Sequence, residues 1–336
     1  MPPKRRDDPG LAEIFVGDGR PVLSLVALGL IASGAFAFFL SAAGELLPQD
    51  VAYLGISAGE LRRLEDGRVL DFMFHDRVAF GGTLIAIGIM YLWLIAVPLR
   101  AGERWAWNLL LASGALGFAS FLAYLGYGYL DSWHAVATVA LLLPFGFGLW
   151  RTRADLRVER DGRAWRPPLT SARGLGRGLL LLVGIGMLLA GSVIVTIGSF
   201  VVFVPQDLAF IGLDRAQLDA LNPHLVALIA HDRAGFGGAL ATTGIVVIGT
   251  AWSARPSRGL WQALLVAGGV GFGAALAIHA LVGYDDLSHV GPAIGGAVVF
   301  AIAIALYPPN ALVVESPGLE AATGVPLRER SADTPR

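Results

Sequence analysis

Residues 75–82 are His-Asp-Arg-Val-Ala-Phe-Gly-Gly, and residues 231–238 are His-Asp-Arg-Ala-Gly-Phe-Gly-Gly. Further matches recur around them at a spacing of about 155 residues: Pro-Gln-Asp at 48–50 and 205–207, tryptophan at 107 and 261, and Gly-Tyr at 128–129 and 283–284. Several separate motifs that repeat in the same order indicate an internal duplication. The sequence therefore predicts two related units joined in tandem.

Each unit is strongly apolar. The 336-residue chain is 55% hydrophobic and only 15% charged, with a mean hydropathy of +0.65, which fits no class of soluble protein. About 20 helical residues cross a bilayer core. Apolar runs of this length predict eight spans, near 22–46, 78–98, 106–128, 133–150, 178–204, 235–253, 260–282 and 289–307.

The predicted fold is therefore all-α: a polytopic membrane protein whose eight transmembrane helices form two tandem four-helix bundles. Because four is an even number, both bundles have the same orientation and are parallel repeats. The predicted divisions are an N-terminal tail at 1–20, a first repeat at 21–150, an Arg-rich linker at 151–177, a second repeat at 178–308 and a C-terminal tail at 309–336.

The distribution of charge predicts the orientation. Segments 1–20, 99–105, 151–177, 254–259 and 308–336 contain 19 of the 25 Lys and Arg residues, whereas 47–77 and 205–234 contain 6. By the positive-inside rule both termini are cytoplasmic, in a multi-pass protein of the cell membrane. The net charge of −1 excludes a basic nucleic-acid-binding protein. The expected partner is the lipid bilayer.

The candidate site is built on histidine. The chain has no cysteine, so any metal must be held by His, Met or carboxylate groups. Four of the six histidines are repeated at the outer ends of the second, fourth, sixth and eighth helices, together with Asp and Arg. The full set is His75, His134, His231, His289, Asp76, Asp131, Asp232, Asp286, Arg77 and Arg233. We expect His75 to face His134, and His231 to face His289, across each bundle.

These residue types suit a haem. Two neutral imidazoles can bind haem iron axially, and an adjacent aspartate can accept a hydrogen bond from the second ring nitrogen. Arg77 and Arg233 can bind propionates. Gly82 lies two turns beyond His75 on the same helix face and would leave room for a macrocycle. The expected cofactor is haem b, or a quinone, and the expected function is a membrane redox protein with an electron-transfer partner.

Two other interpretations stay open. In the structural interpretation, Asp131 and Asp286 are N-caps, His-Asp-Arg is an ion-pair lock, and Phe-Gly-Gly is a close-packing feature. In the transporter interpretation, Arg77 and Arg233 receive an anion. Against transport, no predicted span has a charged residue at its middle, where coupling sites commonly lie.

The remaining polar motifs are weaker candidates. His279 lies inside the seventh predicted helix, where the first unit has Leu125, so the duplication does not support it. It is still an ionisable residue within a span. His224 is expected to be solvated. Each Pro-Gln-Asp follows an apolar run and is interpreted as a helix stop.

With its eight predicted helices and paired histidines, residues 21 to 308 resemble haem A synthase, a duplicated four-helix membrane enzyme. That family places histidine pairs on the second and fourth helices of each half, which correspond to His75 with His134 and His231 with His289. The resemblance implies that one half binds haem b and the other a haem O substrate. Phe72 stands where the family has glutamate three residues before its first histidine.

Overall fold

A computed structural model of the chain describes residues 16–122, 129, 132–157 and 167–309. Twelve α-helices lie within these residues, which contain no β-strand. In chain order they are α1 (Arg20–Ala43), α2 (Pro48–Leu54), α3 (Ala58–Leu61), α4 (Arg68–Leu94), α5 (Arg104–Leu122), α6 (Ser132–Thr152), α7 (Ala172–Phe200), α8 (Pro205–Ile211), α9 (Arg215–Leu221), α10 (Leu225–Ser253), α11 (Arg258–Val282) and α12 (Leu287–Leu306).

Seven of these helices are long and apolar enough to cross a membrane, as in a multi-pass membrane protein: α1, α4, α6, α7, α10, α11 and α12. The predicted span at 106–128 corresponds to α5, which has 19 residues and is not among the seven. Residues 123–128 lie outside the described part of the chain, as do the tails at 1–15 and 310–336 and linker residues 158–166.

Two helices begin about ten residues earlier than their apolar runs. α4 starts at Arg68 and α10 at Leu225, although the apolar runs begin near 78 and 235. The intervening turns contain His-Asp-Arg, whose charges lower the local hydropathy. These side chains are buried within the protein and paired there, so the helix can extend through them.

α4 and α10 form the centre of the bundle. Of the most apolar 18-residue stretch of each, 72% is buried, compared with 17% to 22% in the other five long apolar helices. α4 packs against α1, α10 and α11, while α10 packs against α7, α5 and α4. α5 and α11 therefore pack against the central helix of the other half of the chain.

Glycines bring two helix pairs into close contact. A Cβ atom on Gly34 of α1 would lie 2.3 Å from the carbonyl oxygen of Gly81 in α4. One on Gly191 of α7 would lie 2.5 Å from the carbonyl oxygen of Gly237 in α10. Any side chain would push the backbones apart, so small residues are required at both crossings. The first glycine of Phe-Gly-Gly thus packs closely against a neighbouring helix in both halves.

The short helices α2, α3, α8 and α9 cover one end of the bundle, which we call the capped end. Their buried residues Leu54, Leu61, Ile211 and Leu218 belong to one apolar cluster with Phe72 and other residues at the start of α4 and α10. Each is at most 4% exposed. Burial of one such side chain contributes about 1.5–3 kcal/mol. His-Asp-Arg follows these residues along α4 and α10, between this cluster and the apolar spans.

Candidate functional site

A buried layer of Asp and Arg side chains connects the two halves at the capped end. Arg77 of α4 contacts Asp232 of α10 through Nε at 2.7 Å, and Asp50 of α2 through Nη1 at 2.9 Å. The Arg77 side chain is 13% exposed and Asp50 is 1% exposed. Each carboxylate is thus held by a guanidinium that is itself largely removed from solvent.

The second half repeats these contacts with the roles exchanged. Arg233 of α10 binds Asp207 of α8 through Nη1, and through Nη2 at 3.1 Å. Its Nε lies 3.5 Å from Asp76 Oδ2 in α4. We call these six residues the crossed ion-pair layer, because each arginine binds one aspartate from its own half and one from the other half: Asp50, Asp76, Arg77, Asp207, Asp232 and Arg233.

The Asp residues of Pro-Gln-Asp have two roles that their interpretation as helix stops missed. Each proline is the first residue of a short helix. The aspartate accepts a hydrogen bond from the backbone N–H of the residue before that proline, which is Leu47 or Val204. Tyr129 donates a hydrogen bond of 2.5 Å to Asp50, and Tyr284 one of 2.8 Å to Asp207. The signal was present in the sequence, since both the aspartates and the tyrosines recur.

The predicted pairing of histidines within each half is wrong. His134 Nδ1 lies 3.0 Å from His231 Nε2, so these two residues pair between the halves. His75 lies with His289 instead, at a ring-centroid distance of 5.4 Å. The reason is that His75 and His231 lie on the two central helices. Each of these helices packs against helices from the other half of the chain.

A fifth histidine joins the second of these groups. His279, in the last turn of α11, has Nε2 at 3.0 Å from Nε2 of His75. With His289 they form a triple-histidine cluster in which one ring nitrogen per residue lies within 4.8 Å of the others. The duplication could not indicate His279. The sequence feature that could have indicated His279 is an ionisable residue within an apolar helix.

Asp286 is not part of the crossed ion-pair layer. Asp286 is the N-cap of α12 and accepts hydrogen bonds from the N–H groups of Ser288 (2.9 Å) and His289 (3.1 Å). The Ser288 hydroxyl, followed by these N–H groups, holds the pKa of Asp286 below its usual value. Asp131 lies outside the described residues. His224 is exposed.

A cavity of about 640 Å³ extends from the triple-histidine cluster along the helices of the second half. Asp76, Arg233 and the three histidines of the cluster line its polar end. Its walls are apolar and come from α7, α10, α11 and α12, with Met187, Phe236 and Phe272 among the larger side chains. This volume is within the usual range of about 300–1,000 Å³ for small-molecule sites.

The first half has a smaller counterpart of about 140 Å³. It is lined at its polar end by His134, His231, Arg77 and Asp232, and by helices α1, α4, α5 and α6. Leu141 fills part of this space, whereas Gly296 stands at the corresponding position of the larger cavity. The two halves thus share the polar ends but differ in how much space they leave.

The space expected beside Gly82 is absent. A Cβ atom on Gly82 would lie 2.5 Å from Cβ of Ala274 in α11, and one on Gly238 would lie 2.2 Å from the Ser120 hydroxyl. Both glycines therefore permit close helix contact rather than room for a macrocycle.

No protein family, curated protein or solved structure matches this chain.

Proposed function

We propose that this protein is a quinone-linked membrane redox protein that binds the quinone in the 640 Å³ cavity of its second half. The proposal rests on one observation, an apolar cavity whose lining includes a compact group of titratable side chains. A quinone has the complementary form, since an isoprenoid tail suits apolar walls and its ring carbonyls need hydrogen-bond donors. Pockets of this kind, apolar with a few convergent polar groups, are typical ligand sites.

The polar end can supply what quinone chemistry needs from a protein. Reduction of a quinone to a quinol takes two electrons and two protons, and imidazoles exchange protons near neutral pH. His75, His279 and His289 lie where a ring at the end of the cavity would contact them. The electrons would come from a separate electron-transfer partner.

The proposal includes the finer architecture predicted from the sequence. It takes α5 as the eighth span and the chain as two parallel four-helix repeats in the cell membrane, with both termini in the cytoplasm. The capped end is then the outer face. The similar contacts of Arg77 and Arg233 support the repeat, because each binds the aspartate of its own Pro-Gln-Asp.

The described side chains fit a haem b less well. Axial imidazoles on a metal bind at about 2 Å on each side, so their nitrogens must be about 4 Å apart with the macrocycle between them. His134 and His231 contact each other directly at 3.0 Å. The haem prediction has its own test, a Soret band and a pyridine haemochrome from protein purified from haem-replete cells.

The ion-pair lock is a second candidate role, and it is favoured for the Asp and Arg residues. Each carboxylate of the crossed ion-pair layer is directed at a guanidinium, and each guanidinium joins both halves. This role does not compete with quinone binding, because the histidines remain at the cavity. We therefore divide the candidate residues into a structural set and a ligand-binding set.

Binding of decylubiquinone to the purified protein in mild detergent tests the proposal. We expect saturable binding by isothermal titration calorimetry and no comparable binding of decanol, which has the tail without the carbonyl ring. Gly295→Leu should abolish binding by filling the cavity, since no atom lies within 4 Å of a Cβ atom at Gly295. Ala140→Leu, at the corresponding position of α6, is the matched control and should bind as the wild type does.

Two results would contradict the proposal. One is equal binding of decanol and decylubiquinone, which would indicate only detergent-like partition into the apolar walls. The other is undiminished decylubiquinone binding in a folded Gly295→Leu variant, which would place the ligand elsewhere.

A further inference from the structure

The triple-histidine cluster has the arrangement of a metal site. His75 and His279 are 3% and 7% exposed, and the side chain of His289 is 20% exposed. One ring nitrogen from each lies within 4.8 Å of the other two. Ligands of a tetrahedral metal with bonds of about 2.0–2.1 Å are roughly 3.4 Å apart. The 3.0 Å between the Nε2 atoms of His75 and His279 is close to that separation.

The other ring nitrogen of His279 has a hydrogen-bond acceptor, and those of His75 and His289 lie near carboxylates. Nδ1 of His279 lies 2.6 Å from the carbonyl oxygen of Ala275. Nδ1 of His75 lies 3.2 Å from Asp76 Oδ1, and Nδ1 of His289 lies 4.0 Å from Asp207 Oδ1. Metal-ligating histidines commonly direct their second nitrogen at a carboxylate or carbonyl in this way, which fixes the tautomer and the ring orientation.

One tautomer of the cluster presents two lone pairs to a cation. A carbonyl has no proton to give, so Nδ1 of His279 carries the hydrogen and its Nε2 presents a lone pair. Nε2 of His75 can donate a hydrogen bond to that lone pair at 3.0 Å, or, with its hydrogen on Nδ1 on the side of Asp76, it can present a second lone pair. In the second tautomer two buried lone pairs converge, as the ligands of one cation do.

The local charge is also favourable. Asp76 and Asp207 are 2% and 0% exposed and both face the cluster through His75 and His289. Within the crossed ion-pair layer they share one guanidinium, that of Arg233. Two buried carboxylates and one buried arginine leave one negative charge uncompensated, which favours a bound cation.

We propose that His75, His279 and His289 bind one divalent transition-metal ion of the Zn²⁺ type, with a fourth position open to the cavity. Three imidazoles with no thiolate suit Zn²⁺ and related first-row metals. All three histidines line the polar end of the cavity, so the open position would receive water or a carbonyl oxygen of the cavity's ligand. A metal there would act as a Lewis acid on that carbonyl. The site shares residues with the proposed quinone site but does not depend on quinone binding.

The first half provides a built-in comparison. It has only His134 and His231 at the equivalent end, and its residue corresponding to His279 is Leu125, outside the described part of the chain. Two imidazoles without a third ligand bind a metal less tightly than three do. The expected stoichiometry is therefore one metal ion per chain.

Metal analysis of the full-length protein, purified with a tag that contains no histidine, tests the inference. We expect close to one equivalent of Zn²⁺ after chelator treatment, Zn²⁺ addition and gel filtration, and visible bands of a tetrahedral site with Co²⁺. His279→Leu introduces the residue found in the first half and should weaken Zn²⁺ binding by more than about 100-fold, since even outer-shell partners contribute about 10–100-fold. His134→Leu is the matched control and should retain the ion.

The inference is overturned if the folded wild type retains no Zn²⁺ or Co²⁺, or if a folded His279→Leu variant binds as tightly as the wild type. If His279→Leu fails to fold, His279→Gln gives the same comparison with a polar side chain of similar size. Gly295→Leu separates this inference from the proposed function, because that variant should lose decylubiquinone and keep Zn²⁺. Metal binding without quinone binding would reject the proposed function alone.

Discussion

Arg77 Nε donates a hydrogen bond of 2.7 Å to Asp232 Oδ2, although 155 positions separate the two residues in the chain. This contact joins α4 to α10, the two most buried of the long apolar helices. Together with the contact between Arg233 and Asp76, it links the two halves of the chain at the centre of the protein.

Removal of Arg77 should strongly destabilise the protein. Arg77→Ala leaves Asp50 and Asp232 without the guanidinium that both contact, at exposures of 1% and 9%. Breaking a buried ion pair on one side costs about 3–5 kcal/mol. We expect a marked fall in melting temperature in detergent, measured by intrinsic fluorescence. The exposed Arg63→Ala is the control and should be near neutral, and equal melting of the two variants would contradict a locking role for the layer.

The α7–α10 crossing should tolerate no side chain at Gly191. In Gly191→Ala the new Cβ would lie 2.3 Å from the backbone nitrogen of Ala241, so the helices must separate. Overpacking of this kind costs about 1–3 kcal/mol. Gly186→Ala on the same helix meets no atom within 4 Å and gains helix propensity of up to about 1 kcal/mol. Thermal unfolding should therefore change in opposite directions for the two variants.

Exchange of one residue should alter the cavity of the first half. Leu141 lines the cavity of the first half, and Gly296 stands at the corresponding position in the second half. Leu141→Gly therefore removes the side chain that makes the first cavity smaller there. We expect the number of decylubiquinone molecules bound per chain to rise from one towards two, at some loss of stability from the helical glycine and the cavity. Calorimetric stoichiometry measures this change. An unchanged value in a folded variant would show that Leu141 does not limit access.

The N-cap of α12 should contribute stability that depends on pH. The pKa of Asp286 is lowered by hydrogen bonds to its carboxylate, so the charged form is favoured in the folded protein. Its contribution is complete above the unfolded-state pKa of about 3.9 and is lost as the pH falls through the lower folded-state value. Asp286→Ala should therefore lower the melting temperature at pH 7, and the difference from the wild type should narrow in acid. Asp285→Ala, exposed and not the cap, should show no such trend.

Much of the fold could be predicted from the sequence because hydropathy and repetition are both local signals. Seven of the eight predicted spans correspond to long apolar helices. The position of α5 was predicted, although its span was not established. The capped end could not be anticipated in detail, because α2, α3, α8 and α9 are short and depend on packing against Phe72 and its neighbours.

The composition of the site was easier to predict than its pairing. The repeated motifs predicted that His75, His231, Arg77 and Arg233 lie at one end of the protein. The structure has these residues at the polar ends of the two cavities. Repetition gives no information on which half supplies the partner of each histidine, because that depends on how α5 and α11 pack. It is also blind to a residue present once, which is why His279 received little weight although it completes the triple-histidine cluster.

The long separation between Arg77 and Asp232 has a consequence for biosynthesis. Translation at about 5–20 residues per second places Asp232 in the nascent chain roughly 8–30 s after Arg77. During that interval Arg77 can be neutralised by Asp50 alone, and Asp76 has no access to Arg233. The first half of the chain would therefore remain an incomplete assembly, and addition of the second half would be the step that completes the charge neutralisation of the first.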